Sequence, residues 1–129
     1  MVKIMQLQFD QVDLGQEIDR LDQPELDQLD FGVIGFDAAT VVEVYNSFES
    51  KCAGLSTERV INQPFFTAVA PCMNNFMVAQ RFEDAATSDT ALDVTVDYVL
   101  TLRMRPVKVR LRLLAGQNLS RRYVLVFRA

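Results

Sequence analysis

Phe31-Gly32-Val33-Ile34-Gly35-Phe36 is the stretch on which the fold turns. It carries no charge and no polar side chain, and Asp30 and Asp37 bracket it, so it reads as a short strand apolar on both faces. A strand of that kind must be covered from both sides. Tyr123-Val124-Leu125-Val126-Phe127 has the same character. Two interior strands far apart in sequence therefore belong to one sheet, and each face of that sheet needs its own cover.

Working outward, Asp37-Ala38-Ala39-Thr40 predicts a turn and Val41-Val42-Glu43-Val44-Tyr45 the returning strand of a hairpin. Asn46 is an N-cap for a short helix over 47–53 that Gly54 closes, and Ser56 caps another turn to Ile61. The run 65–70 leads to Pro71-Cys72, and Asn74 or Asn75 is expected to cap the longest helix, reaching about Thr87, with Val78, Phe82 and Ala85 or Ala86 inward. Leu92, Val94, Val96, Tyr98, Leu100, Leu102 and Met104 alternate with polar residues, Val99 excepted, which predicts a long half-buried strand. After Pro106, Val107, Val109, Leu111 and Leu113 alternate with Lys108, Arg110 and Arg112, and 116–119 form a loop.

These middle helices can cover one face of the sheet. The remaining material is residues 1–28, where Leu14, Ile18 and Leu21 make an amphipathic stripe and Pro24 opens a second short helix with Leu26 and Leu29. The expected organisation is an N-terminal helical cap over 1–28 and a core over 29–129. The class is α+β, a five-stranded antiparallel sheet with short helices on one face and the cap on the other. This element order is that of a PAS domain.

Composition removes many functions. The chain of 129 residues has no histidine, so histidine-dependent nucleophiles and histidine metal sites are impossible. Its two cysteines make neither a disulfide framework nor a four-cysteine metal site, and they read as free thiols in a reducing compartment. A net charge of −4 argues against nucleic acid as a partner. With no signal-peptide pattern and no membrane-length apolar run, the expected location is cytoplasmic. Residues 1–64 hold four basic and twelve acidic groups, and 65–129 hold nine and five, so the parts carry −8 and +4. Electrostatic docking of the N-terminal part on the later strands and ordinary solvated surface both fit that asymmetry.

Three residues carry chemistry. Tyr45 and Glu49 are four apart across a strand-to-helix junction and can share a face. A buried, protonated Glu beside a tyrosine hydroxyl offers two donors that hold an anion without a cation nearby. Spacing alone also fits a surface glutamate and a strand-end tyrosine. Cys72, after Pro71 and ahead of an expected helix N-terminus, suits a cysteine meant for acylation, although taken alone it reads more readily as a small buried hydrophobe. Cys52 reads as packing.

The chain resembles the photoactive yellow protein family (xanthopsins) nearly end to end, with about one residue inserted near Asp89-Thr90-Ala91. The densest matches are Leu26-Asp27-Gln28-Leu29-Asp30-Phe31-Gly32, Tyr45-Asn46, Pro64-Phe65-Phe66-Thr67-Ala68-Val69-Ala70-Pro71-Cys72 and Met104-Arg105-Pro106-Val107-Lys108-Val109. The resemblance implies a blue-light receptor, not an enzyme, with 4-hydroxycinnamic acid (p-coumaric acid) as a thioester on Cys72. It implies that Tyr45 and Glu49 bond the chromophore phenolate, and that Ile34, Phe65, Val69, Ala70, Leu100 and Met104 line the pocket. Phe9 matches a cap phenylalanine. Trans–cis isomerisation, proton transfer from Glu49 to the phenolate and release of the cap are the implied mechanism. Ala53 and Leu55 depart from the usual threonine and arginine, and Leu100 from a phenylalanine. The implied partner is an unspecified downstream signalling protein, with no nucleic acid or membrane, and the chain is a monomer or weak dimer. The alternative is a PAS interaction module with an empty or small-ligand pocket and no photochemistry.

Overall fold

The computed structural model describes residues 7–101 and 106–128. Leu102 and Met104, both expected on the inward face of the long strand, lie outside the described residues.

Helices α1 (Leu14–Asp19) and α2 (Gln23–Leu26) precede strands β1 (Gly32–Phe36) and β2 (Val42–Tyr45). Then come α3 (Ser47–Ala53), α4 (Thr57–Val60), a π-helical turn (Phe65–Val69), a 3-10 turn (Pro71–Met73) and α5 (Ala79–Ser88). Strands β3 (Leu92–Leu100), β4 (Val107–Ala115) and β5 (Arg122–Phe127) complete the sheet. Its order is β2-β1-β5-β4-β3, with every pairing antiparallel. The two all-apolar stretches are thus interior strands, β5 at the centre and β1 beside it, in register through Val33 and Leu125.

Both faces are covered. On one, Ile34, Phe36, Tyr45, Leu111, Leu113, Val124 and Val126 pack against Phe65, Phe66, Val69, Met73, Val78 and Phe82. On the other, Phe31, Val33, Val44, Leu114, Tyr123 and Leu125 pack against Phe9, Leu14, Ile18, Leu26 and Leu29. Leu14 and Ile18 are buried at 0 % and 1 % exposure, and burial of each such side chain is worth about 1.5–3 kcal/mol. Leu21 is only half-buried, because α1 has ended before it.

Among the described residues, no ion pair joins a carboxylate of the N-terminal segment to a cation on a strand. Arg112, 5 % exposed on β4, donates to the main-chain oxygens of Phe9 (2.9 Å), Gln11 (2.6 Å) and Val12 (3.5 Å). Asp19 accepts from Ser120 N–H (2.9 Å), the Ser120 hydroxyl (2.7 Å) and the Tyr123 hydroxyl (2.7 Å). Burial alone would raise the Asp19 pKa, but the bonds from Ser120 and Tyr123 outweigh it and hold the carboxyl below its usual range.

The long helix starts later than its sequence suggests. Asn75 Oδ1 takes the N–H groups of Met77 (3.0 Å) and Val78 (3.2 Å), forming a turn that delays α5 to Ala79. Phe82 and Ala85 are its buried residues, while Ala86 is exposed.

Candidate functional site

Asn46 builds the corner from which the site projects. Its side chain is fully buried at the end of β2. Oδ1 accepts from Glu49 N–H (3.2 Å), capping α3, and from Val33 N–H (2.9 Å), while Nδ2 donates to the carbonyls of Leu26 and Phe31, each at 3.0 Å. The Asp27 carboxylate accepts from Ser47 N–H at 2.7 Å. One asparagine therefore ties α3, β1 and the end of α2 together.

That corner turns Tyr45 and Glu49 into the same interior. Tyr45 is 1 % exposed and Glu49 3 %. Burial, and after it the negative charge of Glu49, push the phenol well above its usual value, so it remains a neutral O–H donor.

Glu49 differs from expectation in its neighbour. Instead of lacking a nearby cation, its carboxylate meets the Arg128 guanidinium fork to fork, Nη1–Oε1 at 2.7 Å and Nη2–Oε2 at 3.0 Å. Burial works against the Arg128 charge, but the hydrogen bond and charge of Glu49 outweigh it and hold that guanidinium above its usual value. Gly32 makes the space, since a Cβ there would fall 2.0 Å from Glu49 Oε1. The carboxylate thus lies directly on the backbone of β1.

Cys72 lies in the 3-10 turn, not at a helix N-terminus, because the turn held by Asn75 separates it from α5. Its thiol is free and half-buried, packed against the core that contains Ile34, Tyr45, Phe65, Val69, Ala70 and Leu100. The Tyr98 hydroxyl donates to the Cys72 carbonyl, and Asn75 Nδ2 donates to both, at 2.6 Å to the hydroxyl and 3.1 Å to the carbonyl. The residue opens on a surface cleft of ≈ 860 Å³ lined also by Met77, Tyr98 and Val109. Cys52 is exposed rather than packed, since it sits on the outer side of α3.

The fold therefore gathers Ile34, Tyr45, Phe65, Val69, Ala70 and Leu100 in one core, with Cys72 against it and Glu49 buried at its Gly32 end. Met104 falls outside the described residues. Arg128, Tyr98 and Asn75 did not stand out in the sequence. Gly32 inside an apolar strand was the available sign of a close approach there.

No family model matches the chain. It is 30 % identical over 105 residues to the photoactive yellow protein of Halochromatium salexigens, covering 81 % of this chain and 83 % of that one. The chain belongs to the photoactive yellow protein family. The photoactive yellow protein of Rhodothalassium salexigens is 28 % identical over 107 residues, covering 83 % of this chain and 85 % of the relative. The photoactive yellow protein domain of the sensor histidine kinase Ppr from Rhodospirillum centenum superposes with a TM-score of 0.77 at 38 % identity, covering 84 % of this chain and 95 % of that domain. The chain is thus a PAS-fold member of a photoreceptor family. Its departures at Ala53 and Leu55 are apolar and pack inward, Ala53 buried and Leu55 half-buried. Arg128 brings a guanidinium to Glu49 from the end of β5. No helix among the described residues is long and apolar enough to cross a membrane.

Proposed function

We propose that this chain is a blue-light receptor that carries p-coumaric acid as a thioester on Cys72. The observation that carries the reading is the joint placement of a half-buried thiol and a buried tyrosine on one apolar core. The residues fit the group. Tyr45 offers its O–H to a phenolate oxygen, Glu49 lies buried beside it, and Ile34, Phe65, Val69, Ala70 and Leu100 offer apolar walls, with Met104 assigned to the same lining. When bound, the chromophore supplies blue-light absorption, trans–cis isomerisation of its double bond and a phenolate that takes up the proton Glu49 releases.

The chain's own residues do the rest. Cys72 anchors, with its carbonyl fixed by Tyr98 and Asn75. Tyr45 donates its O–H and stays neutral, because burial opposes its ionisation. Glu49, which carries a proton when the phenolate is bound beside it, gives that proton up from its carboxyl. Its helix is capped by Asn46, whose amide also holds the Leu26 carbonyl, so a shift of α3 reaches the N-terminal segment directly. Release of residues 1–28 as a cap, away from the core over 29–129, is the proposed output to an unspecified signalling partner in the cytoplasm. The receptor acts as a monomer or weak dimer and not as an enzyme.

Intact mass after incubation with activated p-coumarate tests the attachment. Wild type gains one p-coumaroyl group and Cys72→Ser gains none. An adduct on Cys52 overturns the assignment.

A further inference from the structure

The Glu49–Arg128 contact is more than a surface ion pair. Both partners are withdrawn from solvent, with side chains 4 % and 17 % exposed. Both carboxylate oxygens are engaged, at 2.7 and 3.0 Å, in the planar two-bond arrangement that favours the ionised carboxyl. Gly32 keeps the carboxylate against the strand, and Asn46 fixes the helix it grows from. Among the described residues, Arg128 is the cation bonded to Glu49. The groups facing the pair are Tyr45, neutral, and Cys52, so neither supplies a competing positive charge.

We propose that Arg128 is the positioning residue of Glu49, seating the carboxylate that remains once Glu49 has passed its proton to the bound phenolate, and so making Glu49 a readier proton donor and a slower proton acceptor. The pairing stands on this chain alone. Its consequence for light-driven proton release rests on the receptor reading above. With the chromophore bound, the Glu49 carboxyl O–H bond breaks, the proton bonds to a lone pair of the phenolate oxygen, the O–H electron pair stays on the carboxylate, and that charge is met by Arg128. An ionised Glu49 is then a compensated charge, not an orphaned one. The pair also lies one residue from Phe127, which packs on the opposite face against Phe9, ring centroids 5.2 Å apart. Arg110 stands over both rings, 5.0 Å from Phe127 and 5.5 Å from Phe9.

The test has two arms. In the first, infrared spectra of chromophore-free protein at neutral pH are compared. Wild type shows no buried protonated-carboxyl band from Glu49. Arg128→Gln gains one, Arg128→Lys gains less, and the double variant Arg128→Gln/Glu49→Gln loses it. A folded Arg128→Gln protein without that band overturns the proposal. If Arg128→Gln does not fold, the Arg128→Lys and Glu49→Gln spectra decide it, since a wild-type protonated band that Glu49→Gln removes also overturns it. In the second arm, reconstituted Arg128→Gln releases the Glu49 proton more slowly after a flash and recovers faster, each by roughly tenfold, the size of one strong charge-assisted contact. Unchanged rates in both directions overturn the donor half. Failure of wild type to take up the chromophore removes the receptor reading and leaves the first arm standing.

Discussion

The Asn46 side chain donates to the Leu26 carbonyl at 3.0 Å and accepts from the Glu49 amide at 3.2 Å, so one buried group spans the N-terminal segment and the helix that carries the acid. Asn46→Ala removes partners from Leu26, Phe31, Val33 and Glu49 together. Orphaned buried groups cost about 1–3 kcal/mol each before relaxation, so a loss of roughly 2–4 kcal/mol is expected in urea unfolding. Hydrogen exchange should quicken around residues 23–29 more than in β3 and β4. Uniform loss of protection would mean that Asn46 does not link these elements selectively.

Gly32→Ala places a Cβ 2.0 Å from Glu49 Oε1, with neighbouring Glu49 atoms at 3.0 and 3.2 Å. The carboxylate must leave its seat. The expected outcome is a folded protein destabilised by about 1–3 kcal/mol, in which Arg128 loses its partner. Gly15→Ala is the control, since its Cβ meets only the movable Leu114 and Leu119 side-chain ends at 3.3 Å or more. Thermal melts of the two variants separate these cases.

Most of the sheet was legible because its signals are local. Residues 31–36 and 123–127 are apolar throughout, and this alone required two covers. The caps at Asn46 and Ser56, and Gly54 in the left-handed region at φ 72°, are fixed by neighbours in sequence. The start of α5 was misplaced because two adjacent asparagines offered a cap, and Asn75 used its oxygen to hold a turn instead. The partner of Glu49 was hidden for another reason. Arg128 is distant in sequence, and an arginine at a strand end carries no sign that it turns inward. Arg112 likewise alternates with buried residues as a surface residue would, yet it is buried because backbone oxygens of the N-terminal segment receive it.

Asp19 makes docking of the N-terminal segment pH-dependent. Its carboxyl is held below the usual range when folded, so its stabilisation is fully present above the unfolded value and is lost as pH falls through the folded one. Exchange protection of α1 should therefore fall below about pH 4, and Asp19→Asn should flatten that dependence. Equal acid sensitivity in both proteins would place the effect elsewhere.

Glu49→Gln keeps a side chain of similar size that can still donate a hydrogen bond but has no acidic proton. The variant should take up the chromophore, and protonation of the phenolate after a flash should slow by at least about tenfold, as expected when a positioned proton donor is removed. Transient absorption checks this, and unchanged kinetics would take Glu49 out of the donor role.

The central claim is that light drives a reversible change at a Cys72-bound chromophore. Visible absorbance of the reconstituted wild-type protein, followed under blue light and then in the dark, tests it most directly. The account predicts a visible band that falls on illumination and returns in darkness, and that never forms in Cys72→Ser. A protein that stays colourless, or a band that does not respond to blue light, would contradict it.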